Sequence, residues 1–424
     1  MKYKKHVLKN GLRVILVPIK EMTTATALIC VGTGSRFEDA HENGLAHFLE
    51  HMFFKGTKKR PKAMMILKEL DTLGSQHNAY TGKDRTAYYT KVPSAKILQA
   101  MDILHDLFLH STFEVKEIKK ESGTIIQEIN MYQDMPAQKV YDVFETLLYG
   151  KDHPLGREIL GTKQNVTSFV RKDFLAYIAR CYAAHNTVVC VTGNFSEKKV
   201  LAKIKADFGT MYGGDRPQHE LFIGAQEKPV CMIEEKKTDQ THFVLGVHTG
   251  GFDHKDRYVY SILANILGGG MSSRLWEEVR EKRGLAYSVH AFVDFYPEVG
   301  YFAVKAGVEH DKLIDAIELI LKELRKVAQR GVTEEEFERA RSGFEGRIAY
   351  SMETSDAIAS NFAEQEATRD EIIVPEESLR RIKRVTRADI QRVAREIFVN
   401  KSLNCAIIGP QKKREKEIKK ILQF

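Results

Sequence analysis

Apolar positions at helical spacing, and short apolar runs bounded by turn residues, divide the chain into helices and strands. His6 to Lys9, the Asn10-Gly11 turn and Leu12 to Val17 predict a β-hairpin. Leu45, Ala46, Phe48, Leu49, Met52, Phe53 and Phe54 form a stretch that should be largely buried. Helices are expected over Lys62 to Leu73 and Ala95 to Leu109. From Phe113 to Gln133 the chain reads as one helix whose core side carries Ile118, Ile125, Ile126 and Ile129. Cys190 and Cys405 lie in apolar strand-like runs. No apolar run reaches the length of about eighteen residues that a spanning helix needs, so no membrane segment is expected.

The pattern also repeats. Thr33-Gly34 before Phe37 recurs as Thr249-Gly250 before Phe252, Lys172-Asp173 as Ala388-Asp389, and the strand end Thr192-Gly193 as Ile408-Gly409, each pair 216 residues apart. Two tandem copies of one fold follow, joined near the breaker-rich Gly213-Gly214-Asp215-Arg216-Pro217. Each copy opens with strands, continues with helices and closes with a helix and a strand. The expected class is therefore α+β: two tandem homologous domains, each a largely antiparallel sheet packed with helices. The expected bounds are 1–212, a linker over 213–220, and 221–424.

Composition narrows the function classes. A chain of 424 residues suits two or three domains, and 43% hydrophobic with 29% charged residues describes a soluble globular protein. The net charge of +8 is spread along the chain, with runs only at Lys58 to Arg60 and Lys412 to Lys420, and no nucleic-acid motif accompanies it. No nucleic-acid partner is expected. Met1-Lys2-Tyr3-Lys4-Lys5 opens a segment without acids, but the hairpin pattern and the lack of a long apolar core argue against a signal peptide. Five scattered cysteines fit a reducing cytosol better than a disulfide framework, so a cytoplasmic location is expected.

The chemistry concentrates in His47-Phe48-Leu49-Glu50-His51. On a helix, positions i and i+4 share a face, so His47 and His51 can turn two ring nitrogens to one metal while Glu50 stays free as a base. A catalytic zinc takes three protein ligands and keeps one position for water. The segment from Phe113 to Gln133 offers Glu114, Glu117, Glu121 and Glu128, of which Glu121 and Glu128 lie two turns apart on one face. Spacing alone does not choose among these carboxylates. In the second copy, the matching Ser261 to Gly270 holds no ligand, so the first copy should do the metal chemistry and the second should bind and enclose.

The run Gly44-Leu45-Ala46-His47-Phe48-Leu49-Glu50-His51-Met52-Phe53-Phe54-Lys55-Gly56-Thr57 resembles the signature of the pitrilysin, insulinase and mitochondrial-processing-peptidase family of inverted-motif zinc peptidases. The resemblance implies that the third ligand is Glu128, 77 positions after His51, with Glu121 beside the ligands to orient them. One zinc ion per chain is implied. Gly74 to Thr81 with Asp84, Thr86 and Tyr88 is similar to the family's active-site edge strand, so Asn78, Ala79 and Tyr80 are implied to pair with a substrate peptide. Ser273 to Ser288 resembles the family's arginine and tyrosine pair, by position Arg280 and Tyr287; Arg274 and Arg283 are nearby competitors whose ordinary role would be surface ion pairing.

These resemblances imply a zinc-dependent endopeptidase acting on peptides or unfolded segments inside an enclosed chamber. Glu50 would be the general base, and Arg280 and Tyr287 would hold the substrate carbonyl and oxyanion. Because the chain carries both residue sets, a homodimer with two composite sites is expected. The alternative is a non-cleaving peptide-binding or partner subunit of a processing peptidase.

Overall fold

A computed structural model describes all 424 residues, Met1–Phe424. The predicted hairpin is present as β1 (Lys4–Val7) and β2 (Arg13–Pro18), paired antiparallel with Lys4 opposite Leu16. Gly11, at φ 88°, makes the turn between them in a conformation open to glycine. Next come β3 (Thr24–Val31), α1 (Leu45–Met52) and α2 (Ala63–Thr72). The hairpin β4 (Gln76–Thr81) and β5 (Thr86–Pro93) leads to α3 (Ile97–His110) and α4 (Val115–Gln133), both close to their predicted spans. The first copy continues with α5 (Pro136–Tyr149), α6 (Lys163–Ser168), α7 (Arg171–Cys181), β6 (Thr187–Gly193) and α8 (Glu197–Phe208).

An irregular connection spans the expected linker, and then the order repeats. β7 (Val230–Glu234), β8 (Thr241–Gly250), α9 (Arg257–Gly268), β9 (Ala286–Phe295) and β10 (Val299–Val308) come first. They are followed by α10 (Leu313–Arg330), α11 (Glu334–Tyr350), α12 (Ser355–Arg369), α13 (Pro375–Lys383), α14 (Arg387–Ile397), β11 (Asn404–Ile408) and α15 (Glu415–Ile421).

The strand order shows the duplication directly. The first sheet runs β1-β2-β6-β3-β5-β4, and the second runs β7-β11-β8-β10-β9. Removing β1 leaves the same order in each, with one parallel pair, β2 with β6 and β7 with β11, in otherwise antiparallel sheets. The class is α+β, as the pattern predicts.

The compact units are discontinuous in sequence. One holds Met1–Asn130, Glu158–Glu220 and Ala349–Val374; the other holds Met131–Arg157, Leu221–Ile348 and Pro375–Phe424. Each sheet is therefore covered on one face by its own helices and on the other by a helix from the opposite half of the sequence. In the first unit, alternate residues of β3 divide between two cores. Ala25, Ala27, Ile29 and Val31 pack with α1, α3 and α7, whereas Leu28 and Cys30 meet Ile358, Phe362 and Ala363 of α12. In the second unit, Val140, Val143 and Phe144 of α5 fill the matching place against Val244, Ala303 and Ala406. Sheets covered on both faces need strands apolar on both faces, which is why Cys190 and Cys405 sit in continuous apolar runs. All five cysteines are free thiols.

Candidate metal centre

α1 starts at Gly44, whose φ of 102° and 2.7 Å approach of a would-be Cβ to the Leu160 carbonyl leave room for glycine alone. The buried Glu38 carboxyl closes the open end of this helix, accepting from the Gly44 amide at 3.0 Å and the Ala46 amide at 2.6 Å. Burial pushes the Glu38 pKa up to about 8 although both amide bonds pull it down. Leu45, Ala46, Phe48, Leu49 and Met52 anchor α1 in the core, so its remaining face carries His47, Glu50 and His51.

α4 packs Ile118, Ile125 and Ile129 inward and brings Glu121 and Glu128 to that face. Glu128 Oε2 lies 3.7 Å from His47 Nε2 and 3.6 Å from His51 Nε2. The three ligand atoms all lie within 4.8 Å of one another. Tetrahedral zinc with bonds of about 2.0–2.1 Å spaces its ligand atoms about 3.3–3.4 Å apart, a few tenths of an ångström less than either distance from Glu128 Oε2.

The proton arrangement fits as well. His51 Nδ1 sits 2.8 Å from Glu121 Oε1 and donates to it, so Nε2 is the ring nitrogen turned toward Glu128. Burial lowers the His47 pKa to about 3, with the neighbouring His51 adding to the effect, so its ring is neutral as a ligand must be. Burial works against a charged His51 too, but the carboxylates around it, Glu121 first and then Glu50 and Glu128, outweigh burial and raise the pKa. Glu121 is in turn paired with Lys55 Nζ at 2.6 Å, and its carboxyl stays below the ordinary range because the His51 and Lys55 contacts exceed the cost of burial.

Glu50 is not one of the three residues that could hold the ion. Its Oε2 accepts a 2.6 Å hydrogen bond from Thr81 Oγ1 at the end of β4. Burial raises its pKa, and the Thr81 bond partly offsets this. β4 is the edge strand of its sheet, with β5 on one side only. On it, Asn78 is exposed and accepts from the Ala79 amide at 2.9 Å, while the half-buried Tyr80 phenol donates to Glu364 of α12. The Tyr80 side chain thus packs into the fold, and what this strand offers outward is main chain and Asn78.

Arg280 and Tyr287 lie together in the second unit. Arg280 belongs to a one-turn π-helix, Trp276–Glu281, and its guanidinium lies 4.1 Å over the Trp276 ring and 4.6 Å over the Tyr287 ring. Tyr287 on β9 is 77% exposed, so its hydroxyl is open to a ligand. Arg274 pairs with Glu336 at 2.6 Å and Arg283 with Glu278 at 3.3 Å.

Three residues at the centre had no role assigned from sequence. Lys55 continues the His47, His51 spacing by four, a signal that would have found it. Thr81 and Glu38 carried no such signal, because their contacts join segments that only the fold brings together.

Two family models match the chain: "Insulinase (Peptidase family M16)" over residues 13–163 and "Peptidase M16 inactive domain" over residues 168–344. A protein of Rickettsia bellii described as an uncharacterised zinc protease is 35% identical over 95% of this chain and 96% of its own length. One of Bacillus subtilis with the same description is 33% identical over 96% of this chain and 98% of its own. In fold, the chain is similar to a protease from Helicobacter pylori, with a TM-score of 0.90 at 24% identity, covering 96% of this chain and 99% of that one. No helix is long and apolar enough to cross a membrane.

Proposed function

The chain belongs to the insulinase family of peptidases, M16, and from that premise we propose that it is a zinc-dependent endopeptidase hydrolysing peptides or unfolded segments in an enclosed chamber, working in the cytoplasm. The observation that carries the reading is the convergence of His47 Nε2, His51 Nε2 and Glu128 Oε2 on one point, beside a carboxylate that is not a ligand.

His47, His51 and Glu128 would hold one zinc ion, with Glu121 fixing the His51 ring. Zinc bound there would supply a Lewis acid that brings the pKa of water to about 7. The chain's own residues do the rest. Thr81 holds Glu50 Oε2, leaving Oε1 to take a proton from the attacking water and return it to the leaving amine nitrogen. The free edge of β4 at Asn78, Ala79 and Tyr80 gives a peptide a strand to pair with, so affinity comes from main chain and little sequence is demanded. Arg280 would hold a substrate carbonyl and Tyr287 donate its O–H to the developing oxyanion, supplied by a second copy of the chain in a homodimer.

Metal analysis joined to digestion of an unbiased peptide library, with and without chelator, tests this reading. Zinc near one per chain and chelator-sensitive cleavage are expected. Peptide retention without cleavage would overturn it in favour of a binding subunit.

A further inference from the structure

The second unit has its own cleft between the helices that correspond to α1 and α4. There, α9 and α11 enclose a cavity of about 180 Å³ lined by Asn265, Gly269, Gly270, Ser273, Arg339 and Arg347. We infer that this cavity is an anion subsite that takes a carboxylate of a bound peptide, at its C-terminus or on an acidic side chain. The inference rests on the reading above for the peptide nature of the ligand.

The charge balance of the cavity favours an anion. Glu336, the acid on its wall, is spent: both its oxygens pair with Arg274, at 2.7 and 2.6 Å, and it also accepts from the Thr333 amide. Arg339 reaches only the exposed Glu335, a surface pair of little strength. Arg347 pairs with no carboxylate at all. Its Nη1 donates to Asn265 Oδ1 at 3.0 Å, and its guanidinium lies 4.8 Å over the Phe344 ring. A guanidinium held from two neutral sides keeps its remaining donors for a planar, two-oxygen anion.

The cavity's polar groups are also preorganised. Asn265 is itself oriented by donating to the Ala340 carbonyl at 2.7 Å, which turns its Oδ1 to Arg347. A Cβ on Gly269 would come within 1.9 Å of that Oδ1, so glycine is what lets Asn265 stand there. One buried group on the cavity wall is an orphan. Ser273 is 6% exposed, and its buried hydroxyl has no hydrogen-bond partner, a state that costs free energy unless something else meets it. The volume holds a carboxylate with a few waters, at about 30 Å³ for each water.

The test uses the full chain carrying Glu50→Gln, so that binding is read without turnover, and three unstructured peptides of one sequence. The first has a free C-terminus, the second is amidated, and the third is amidated with its only glutamate changed to glutamine. Calorimetric titration should show a preference of about tenfold for a carboxylate-bearing peptide over the third. Loss of affinity on amidation would assign the C-terminus, and loss on the glutamine change would assign the side chain. Adding Arg347→Gln should bring the ratio near one, and Arg347→Lys should keep part of it. Ser273→Ala provides a second, smaller perturbation that lowers the ratio should Arg347→Gln fail to fold. Equal affinity for all three peptides, or a preference that survives both changes, overturns the inference. Cleavage by the unaltered chain without carboxylate preference would sink the subsite and leave the peptidase reading standing. Preference without cleavage would do the reverse.

Discussion

α1 and α9 both follow the third strand of the shared sheet order, and α4 and α11 both follow the long helix after the hairpin. Around α1 the buried face is Leu45, Ala46, Phe48, Leu49 and Met52, and the other face carries His47, Glu50 and His51. α9 instead buries Val259, Ile262, Leu263, Ile266 and Leu267, and α11 adds Phe337 and Ala340 to the same core. Where one helix pair presents imidazoles and carboxylates, the other packs aliphatic side chains into its core and leaves a cavity lined by Asn265, Ser273, Arg339 and Arg347. One backbone arrangement thus tolerates both contents. The sheet and its helices are held by apolar burial, and the polar centre is an addition that the fold permits and does not require.

The helix starts differ in the same sense. α1 begins under a buried carboxyl that binds two of its amides, whereas Asp256 before α9 makes no side-chain cap and is paired with Arg392 at 2.6 Å. The capped helix is the one whose side chains the proposed chemistry would use.

The sharpest way to break the contrast is to remove a ligand. Glu128→Gln should lose nearly all bound zinc and with it all cleavage, while Glu336→Gln on α11 should leave zinc content unchanged. Elemental analysis of dialysed protein decides, and zinc lost equally from both would show that the clefts are not distinct in metal binding. Glu50→Gln should keep zinc near the unaltered level and lower turnover about 10³-fold, the scale of a general base. Comparable turnover with zinc retained would remove Glu50 from the reaction. A third comparison asks whether the two units need each other in trans. Mixing Glu50→Gln with Tyr287→Phe protein should regain activity, up to about a quarter of the sites after full exchange, because each mixed dimer then holds one intact composite site. No recovery after exchange is confirmed by mass would place both residue sets in one chain or leave Tyr287 out of the reaction.

Much of this contrast was legible in the sequence wherever it depends on local spacing. His47 and His51 at i and i+4, and Glu121 and Glu128 at two turns, announce their faces within a single helix, and the 216-residue offset carries over into two sheets of the same strand order. What could not be read is whatever depends on which surface an element covers. An amphipathic pattern shows that α5 and α12 have an apolar side but not that each lies on the sheet of the opposite half of the sequence. Nothing near Thr81 or Glu38 points to Glu50 or to the Gly44 and Ala46 amides, since those contacts form only when a strand end and a loop are folded against α1. The π-turn that sets Arg280 between Trp276 and Tyr287 is equally a product of its surroundings.

The smallest expected effect sharpens the comparison at the helix starts. With the Glu38 pKa pushed up to about 8 by burial, the folded chain holds a proton that the unfolded chain has already released between the ordinary carboxylate range and pH 8. In that window the folded state binds more protons, so unfolding free energy falls as pH rises, by about 1.4 kcal/mol per pH unit from this one group. Glu38→Gln keeps a neutral acceptor for the amides and removes the titration. The difference in stability between Glu38→Gln and unaltered protein, measured by urea unfolding of zinc-free samples from pH 5 to 8, should therefore grow in favour of the variant as pH rises. A flat difference would mean that Glu38 is already ionised in the folded chain, in which case α1 starts under a full negative charge that its macrodipole stabilises, a stronger contrast with α9 than a neutral cap provides.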